Sequence, residues 1–167
     1  MKRLTLIRHA KSDWADSALP DHDRPLNARG LGAAPAVGEA LAASGAKPDL
    51  ILTSTALRAK TTAQMVAEKL GYPAESIHET RDLYHASVQD LERATADIDD
   101  LAGIEHAMIF GHNPGMEDYV DYLLGSYASQ RFVTCAVAEL SLEIKYWGEV
   151  AAGCGTLERF FTPHDLH

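Results

Sequence analysis

The chain has 167 residues, of which 46% are hydrophobic and 23% are charged, a composition typical of a water-soluble globular protein. Its 24 acidic residues outnumber 15 Lys and Arg, and the resulting net charge of −9 argues against nucleic acid or acidic membranes as partners recognised by charge. No stretch reaches the roughly 20 apolar residues that span a bilayer. We therefore expect one soluble domain over residues 1–167 that binds neither nucleic acid nor a membrane.

The two cysteines and the N-terminus bear on the cellular compartment. Cys135 and Cys154 are too few for a disulfide framework and lack the paired spacing of a zinc site, so we interpret them as reduced thiols. The apolar run at residues 4–7 is much shorter than the core of a signal peptide. These features predict an unprocessed protein of the cytoplasm.

Strand-like and helix-like segments alternate along the chain. Three short β-favouring runs, each followed at once by small or polar residues, are predicted to be buried strands: residues 2–7, 49–53 and 106–110. Three helical patterns lie between or around them: residues 28–44, 57–70 and 88–98. This alternation favours an α/β sheet that is at least partly parallel.

Local signals refine the helices. Asn27 and Ser87 are predicted to cap the first and third helices at their N-termini, and Gly71 is predicted to stop the second. Pro35 stands inside the first helical pattern, and proline removes a backbone hydrogen bond from the preceding turn. We therefore expect a kink or a fresh start of the helix at Pro35.

The C-terminal third carries a different pattern. Residues 136–144 alternate imperfectly between apolar and polar, turn-like residues follow, and residues 155–161 return as a partner strand. We interpret the two runs as an antiparallel hairpin. The predicted fold is thus α/β, a three-layer sandwich in which helices flank a mostly parallel central sheet that ends in this hairpin.

Groups suited to phosphate chemistry follow all three predicted strands. The segments are Arg8-His9-Ala10-Lys11-Ser12, residues 53–61 (Thr-Ser-Thr-Ala-Leu-Arg-Ala-Lys-Thr) and Gly111-His112-Asn113-Pro114-Gly115. In open α/β sheets the ligand crevice lies at the carboxyl ends of the strands. The three segments are therefore predicted to converge in space.

Several motifs in this order resemble the histidine phosphatase superfamily. They are Arg8-His9-Ala10 closing a strand, Ser54 with Arg58 and Thr61 opening a helix, and Gly111-His112-Asn113-Pro114 after a later strand. The start Arg-His-Ala-Lys-Ser, the residues Asp-Arg-Pro-Leu-Asn-Ala-Arg-Gly at 23–30 and the short length resemble the SixA-type phosphohistidine phosphatases in particular. The resemblance runs from residue 2 to about 162.

The resemblance implies a role for each of four residues. His9 is the nucleophile that becomes a covalent phosphohistidine, Arg8 and Arg58 hold the phosphoryl oxygens, and His112 is the second histidine of the phosphate pocket. The chemistry agrees, because guanidinium groups match phosphoryl oxygens and their charge lowers the pKa of a neighbouring imidazole, which attacks only when neutral. We expect His112 to be protonated once a dianionic substrate is bound.

Other residues are weaker candidates. Ser12, Arg24 and Asn113 are predicted to help bind substrate, Arg24 as a third cation at the rim, whereas Asp21 is interpreted as part of a charged loop. The remaining histidines are interpreted as surface or core residues: His22, His78, His85, His106, His164 and His167. No His-x-x-x-His or His-x-His spacing with nearby acids occurs, so we expect neither a metal nor another cofactor.

The general acid is the weakest part of the site. An alcohol leaving group needs a proton, which larger relatives in the superfamily take from a carboxylate in the loop after a later strand or beside the second histidine. Asp82, in the loop at residues 79–85, is the candidate here, with Glu79 next. Glu117 and Asp118 are the acids nearest His112 in sequence, but they fall within a predicted helix.

This weakness bears on the substrate. The imidazole of a protonated phosphohistidine departs as a neutral molecule and depends less on a proton donor from the enzyme. A short chain also implies an open crevice. A protein carrying phosphohistidine is therefore the predicted substrate. The alternatives are a broad phosphomonoesterase for small phosphorylated molecules, a phosphoglycerate-type mutase, for which no lid is evident, and a non-catalytic module that binds phosphate for regulation.

Overall fold

The computed structural model describes residues 1–126 and 131–166. Within them the chain forms six strands: β1 Lys2–Arg8, β2 Leu50–Ser54, β3 His78–Thr80, β4 His106–Gly111, β5 Val137–Leu142 and β6 Gly155–Phe161. Four α-helices accompany the strands: α1 Ala28–Ala43, α2 Leu57–Leu70, α3 Val88–Ala96 and α4 Gly115–Leu124. None of the helices in the described part is long and apolar enough to cross a membrane.

The six strands form one mixed sheet in the order β3-β2-β4-β1-β5-β6. The first four of these run parallel to one another, while β5 pairs antiparallel with β1 and β6 antiparallel with β5. The predicted mostly parallel sheet and its antiparallel C-terminal pair are confirmed. Only β3 was not predicted, because its three residues are too few and too exposed to show an alternating pattern.

Helices cover both faces of the sheet. Ile7, Met108 and Phe110 point towards α1 and α2, and they pack there with buried residues such as Val37 and Val66. The alternate strand positions point to the other face, where α3 and α4 cover them: Leu4, Leu6, Ala107 and Ile109. Successive side chains of a strand point to opposite faces, so two hydrophobic layers follow from strands buried on both sides. The three-layer sandwich is confirmed.

The predicted helix ends are present, but the helix does not start afresh at Pro35. The Asn27 side chain accepts a hydrogen bond from the Gly30 N–H at 2.9 Å, and Ser87 forms a reciprocal capping box with Asp90. Gly71, in the left-handed conformation, ends α2. α1 runs continuously from Ala28 to Ala43 with Pro35 inside it, so the predicted fresh start is wrong, while the alternative of a kink at Pro35 stays a prediction. Burial of one helix face against the sheet stabilises this helix despite the missing hydrogen bond.

Candidate active site

The carboxyl ends of β1, β2 and β4 meet at one edge of the sheet, as predicted. β4 lies between the other two strands, and its last residue, Gly111, pairs with Arg8. The ring centroids of His9 and His112 are 5.2 Å apart, and Nη2 of Arg58 lies 3.4 Å from Nδ1 of His112. Two histidines and two arginines from three distant segments therefore form one cluster.

Backbone hydrogen bonds hold His9 in place at the end of β1. The His9 N–H donates to the Gly111 carbonyl at 3.0 Å, and the His9 carbonyl accepts from the Cys135 N–H at 3.0 Å. The next residue, Ala10, donates its N–H to Oγ1 of Thr62 at 3.0 Å. Thr62 lies one residue beyond the Thr61 of the sequence motif. Three hydrogen bonds, to Gly111, Cys135 and Thr62, thus fix the backbone at His9 and Ala10.

The His9 ring has a defined tautomer. Its Nδ1 lies 2.7 Å from the Ala10 carbonyl oxygen, and because a carbonyl only accepts hydrogen bonds, Nδ1 carries the hydrogen. Nε2 of the neutral ring therefore keeps its lone pair. His9 is 7% exposed, and burial, assisted by the charges of Arg58 and Arg8, lowers its pKa to about 4. The ring is neutral, and able to attack, at physiological pH.

Arg8 presents hydrogen-bonding capacity that the protein leaves unused. One of its Nη atoms donates to the Phe132 carbonyl at 3.2 Å. Its buried Nε has no hydrogen-bond partner within residues 1–126 and 131–166. Buried N–H groups are rarely left without a partner unless they serve a function. A phosphoryl oxygen is a suitable acceptor for this donor.

Arg58 reaches back to the sheet edge from the first turn of α2. The side chain is almost fully buried, and it donates to Asp21 twice, from Nη1 to the backbone carbonyl at 2.7 Å and from Nη2 to Oδ2 at 2.9 Å. Nη2 also faces Nδ1 of His112. Because α2 begins three residues after β2, Arg58 stands where the sequence placed it.

His112 is 4% exposed and neutral in the free site. Burial, followed by the charges of His9 and Arg58, lowers its pKa to about 2. Its Nε2 lies 2.8 Å from Oγ of Ser54, which also accepts the Ala56 N–H at 3.1 Å. With Arg58 donating to Nδ1, Nε2 carries the hydrogen and donates it to Ser54. Protonation of His112 in the presence of a dianionic substrate stays a prediction.

Asp21 joins the site, a contact that the sequence did not reveal. Its Oδ2 accepts hydrogen bonds from Arg58, from the Tyr84 hydroxyl at 2.7 Å and from Nε2 of His85 at 3.0 Å. Partial burial works to raise the pKa of Asp21, but these three hydrogen bonds outweigh it and hold the pKa well below its ordinary value. Asp21 is therefore ionised, and it orients the Arg58 guanidinium.

A group of rings borders the two catalytic histidine candidates. The ring centroids of Tyr84 and His85 lie 5.5 Å and 5.0 Å from that of His112, and His22 packs edge-on against Tyr84 at 4.9 Å. The His85 backbone has φ of 50°, in the left-handed region that favours glycine. Two of the histidines that we interpreted as surface or core residues, His22 and His85, thus stand beside the candidate site.

Two of the weaker candidates adjoin the cluster and a third is buried nearby. Asn113 donates from Nδ2 to the Phe132 carbonyl at 2.8 Å, the same oxygen that Arg8 contacts. The Arg24 guanidinium stacks over the Trp14 ring at 4.0 Å, and its buried Nε lies 3.9 Å from Oδ1 of Asp21 but has no hydrogen-bond partner among the described residues. Ser12 is buried, and its backbone pairs with Leu26. Their roles in substrate binding stay predictions.

Asp82 does not contact the cluster. It is exposed, and its N–H donates to Oγ1 of Thr80 at 3.1 Å. No hydrogen bond or ion pair within the described residues joins its carboxylate to Arg8, His9, Arg58 or His112. In the same part of the chain, no group of three His, Cys, Asp or Glu residues is placed to hold a metal ion.

Comparison with known proteins points to one family. The family model of the histidine phosphatase superfamily (branch 1) matches residues 4–122. A chloroplastic protein of Arabidopsis thaliana is 34% identical over 166 residues, which cover 92% of this chain and 72% of that protein.

Solved structures agree with the family match. A protein of Agrobacterium tumefaciens assigned as the phosphohistidine phosphatase SixA is 28% identical, with a TM-score of 0.81 over 97% of this chain and 98% of that one. The protein histidine phosphatase SixA in complex with tungstate has a TM-score of 0.82 at 22% identity over 98% of both chains. These likenesses confirm the predicted α/β fold.

Proposed function

Because the chain belongs to the histidine phosphatase superfamily, we propose that it hydrolyses phosphohistidine on a protein through a covalent phosphohistidine at its own His9. The hydrogen bond from His9 Nδ1 to the Ala10 carbonyl carries the proposal, since it leaves the lone pair on Nε2. Burial that keeps the ring neutral adds to it. A module that only binds phosphate does not need a neutral histidine with a free lone pair on Nε2.

In the first step, Nε2 of His9 attacks phosphorus while the bond to the leaving group breaks. Arg8 and Arg58 hold the nonbridging oxygens, where two guanidinium groups stabilise charge in both the ground state and the transition state. Arg8 offers its unpartnered Nε, and Arg58 is held in orientation by Asp21. In the second step, water attacks phosphorus, the P–N bond breaks and its electron pair returns to Nε2, and inorganic phosphate leaves with both hydrogens of the water.

The acids of the site favour a nitrogen leaving group. Among the described residues, Asp21 is the one carboxylate that is hydrogen-bonded to any of the four proposed catalytic residues. Its low pKa keeps it ionised, so it has no proton to donate to an alkoxide. When the other ring nitrogen of a phosphohistidine is protonated, its imidazole leaves as a neutral molecule and needs no proton from an enzyme carboxylate. Similarity to a SixA-type protein at 28% identity over nearly the whole chain supports the same substrate class.

A phosphomonoesterase for small molecules is the second candidate, and His85 favours it. Nε2 of His85 is bonded to Asp21, and its ring lies beside His112, so an imidazole stands near the site with Nδ1 able to exchange a proton. A comparison of kcat/KM for a phosphohistidine protein, p-nitrophenyl phosphate and sugar phosphates separates the two candidates. Higher values on the small esters would favour the phosphomonoesterase.

Trapping of the phosphoenzyme tests the nucleophile. Rapid mixing with a labelled phosphohistidine protein and denaturation at alkaline pH are expected to leave an acid-labile label on His9. His9→Ala is expected to lose the label and to lower turnover by about 10³-fold or more, because the covalent route is removed. The exposed His78 provides the control, and His78→Ala should keep both the label on His9 and the turnover of the intact protein. Label retained in His9→Ala would refute the proposal.

The location of the protein stays open to test as well. A cytoplasmic protein was predicted from the cysteine content, and the Arabidopsis relative is described as chloroplastic. We keep the cytoplasm as the proposed location for this chain. Fractionation of the source cells with an antibody against the chain checks it.

A further inference from the structure

A pocket with a basic lining lies beside the proposed catalytic cluster. Six of the eight residues that line this basic pocket matter for its chemistry or place it beside the site: Lys11, Arg29, Val133, Thr134, Thr162 and His164. They come from the segment after β1, the first turn of α1, the segment before β5 and the turn after β6. The steps assigned to the four catalytic residues use none of them.

One backbone segment separates the basic pocket from the phosphoryl site. The Phe132 carbonyl accepts hydrogen bonds from Arg8 and Asn113, and the Cys135 N–H donates to the His9 carbonyl. Thr134, between them in sequence, lines the basic pocket. Lys11 follows His9 by two residues, which span at most about 7 Å. A substrate whose phosphoryl group is at His9 therefore has its flanking groups within reach of the basic pocket.

Close packing brings the first turn of α1 against this segment. A Cβ at Gly30 would lie 2.3 Å from the Lys11 carbonyl oxygen, so only glycine permits this approach. The Asn27 N–H donates to the same carbonyl at 2.9 Å. As a result Arg29, which precedes the glycine, stands beside Lys11.

The positive charges of the basic pocket are not balanced within the protein. Lys11 and Arg29 are exposed, and their side chains form no ion pair or hydrogen bond with the described residues. Asp13, the acid nearest Lys11 in sequence, accepts the Ala15 N–H at 2.7 Å through Oδ1. Asp165, which follows His164, accepts hydrogen bonds at its carboxylate from the Thr162 N–H at 2.8 Å and from Thr162 Oγ1 at 3.3 Å. In a chain of net charge −9, two unpaired cations and the imidazole of His164 therefore line one pocket.

Helix stability does not account for this arrangement. The N-terminus of a helix carries partial positive charge, so an acid in the first turn stabilises it and a cation there does not. α1 has Arg29 in its first turn and no acid. The helix end thus adds to the potential of Lys11 and Arg29, which is the requirement for binding an anion.

We propose that the basic pocket binds an acidic segment of the phosphorylated protein while its phosphoryl group is at His9. The proposal rests on the proposed function and deepens it, since it names the sequence feature that marks the substrate. Side-chain carboxylates suit the pocket, because Lys11 and Arg29 pair with them at the surface without the desolvation cost of a buried ion pair. The same cations also suit a second phosphate group on a small molecule, which the experiment treats separately.

The experiment measures affinity and turnover with matched substrates. Two peptides carry one phosphohistidine each, flanked by Asp and Glu in one and by Asn and Gln in the other. The intact protein is expected to prefer the acidic peptide, and Lys11→Ala/Arg29→Ala to lose roughly fivefold to tenfold in kcat/KM for it, the size of two exposed ion pairs. Turnover of p-nitrophenyl phosphate, which has no second anionic group, should change less than twofold.

The control removes the same charge elsewhere. Lys47 and Lys145 are exposed and lie near the opposite edge of the sheet, so Lys47→Ala/Lys145→Ala should keep the preference for the acidic peptide. Lys11→Glu/Arg29→Glu should reverse the preference. Equal use of both peptides by the intact protein, or a preference unchanged in Lys11→Ala/Arg29→Ala, would overturn the proposal. Discrimination confined to a sugar bisphosphate, with none between the peptides, would also overturn it in favour of a small-molecule subsite.

Binding to the His9→Ala variant separates this proposal from the proposed function. The dissociation constants of both peptides are measured in that background, with and without Lys11→Ala/Arg29→Ala. A preference for the acidic peptide that depends on Lys11 and Arg29 supports the basic pocket even if the intact protein fails to form a phosphoenzyme. Normal phosphoenzyme formation with equal affinities would leave the proposed function standing and reject the pocket.

Discussion

The two ends of the central sheet contain similar side chains in opposite states. At the end away from His9, a pocket is lined by Arg3, His106, Glu139, Glu158 and Arg159, among others. There Nε of Arg159 donates to Glu139 at 2.6 Å, and His106, 9% exposed, bonds to Oγ1 of Thr5 at 2.8 Å. At the other end, Arg8 bonds to a neutral carbonyl and its Nε has no described partner.

This difference distinguishes a structural use of charge from a functional one. The Arg159 and Glu139 charges compensate each other, so that pocket has little to gain from binding an anion. Around His9, Arg58 is paired with Asp21, but the buried Nε of Arg8 has no hydrogen-bond partner among the described residues. Such uncompensated donors are costly unless a ligand meets them, because an unpaired buried group keeps its desolvation cost. Residue types alone would not separate the two ends.

The largest expected effect comes from removing one arginine at each end. Arg58→Ala is expected to lower kcat/KM by about 10² to 10³-fold, the usual cost of losing a donor to transition-state charge. Arg159→Ala should leave kcat/KM within twofold and lower the free energy of unfolding by at most about 1 kcal/mol, because the ion pair is partly exposed. Kinetics on p-nitrophenyl phosphate and thermal unfolding check both. Equal losses of activity would break the comparison.

A smaller effect is expected from Asp21→Asn. The amide still accepts hydrogen bonds, but it holds Arg58 less firmly, so kcat should fall about tenfold. KM should not rise, because removal of a negative charge beside the phosphoryl group favours binding. The nearby Asp23, whose described ion pair is with His22, provides the control Asp23→Asn. A rise in KM at constant kcat would mean that Asp21 contacts the substrate instead of positioning Arg58.

The smallest expected effect is that of pH on the rate of phosphoenzyme formation at His9. Protonated His9 lacks a lone pair, so phosphoenzyme formation requires the neutral ring. Since burial lowers the pKa of His9 to about 4, the rate constant of this step should stay nearly level down to about pH 5 and fall only as the pH approaches 4. Quench measurements of the second-order rate constant, at substrate concentrations well below KM, test this because that constant reports the ionisation of the free enzyme. A fall centred near 6.5 would show that His9 is not desolvated.

The same shifts affect stability with a definite sign. The folded-state pKa values of His9 and His112 lie below those of an unfolded chain, so the unfolded state binds more protons from about pH 6.5 down to about 4 at His9 and to about 2 at His112. The contribution of these two histidines to the free energy of unfolding is therefore expected to be fully present above pH 6.5 and to fall as the pH decreases through that range.

The sequence was sufficient for the parts of the site that depend on local order. His9 and His112 directly follow β1 and β4, and Arg58 lies in the first helical turn after β2. The carboxyl ends of parallel strands meet at one side of the sheet, which brings the three residues together. Asp21 was not predictable, because its partners Arg58, Tyr84 and His85 are 37, 63 and 64 residues away. No local pattern encodes contacts at that separation.

Burial was the other quantity that the sequence could not supply. We attributed the low pKa of His9 to Arg8 and Arg58, and the direction was right, but desolvation is the larger cause. Desolvation depends on every segment that covers the ring, including the chain before β5. The three-residue strand β3 was missed for a related reason, since only pairing with β2 makes it a strand.

The interior position of β1 has a consequence for how the protein loses activity. β1 is hydrogen-bonded on both sides, to β4 and to β5, and the backbone bonds of His9 continue this pairing. Amides of such strands exchange with solvent only through large openings of the structure. The His9 backbone should therefore be among the last to exchange, and heating should inactivate the protein at the temperature that unfolds it and not before.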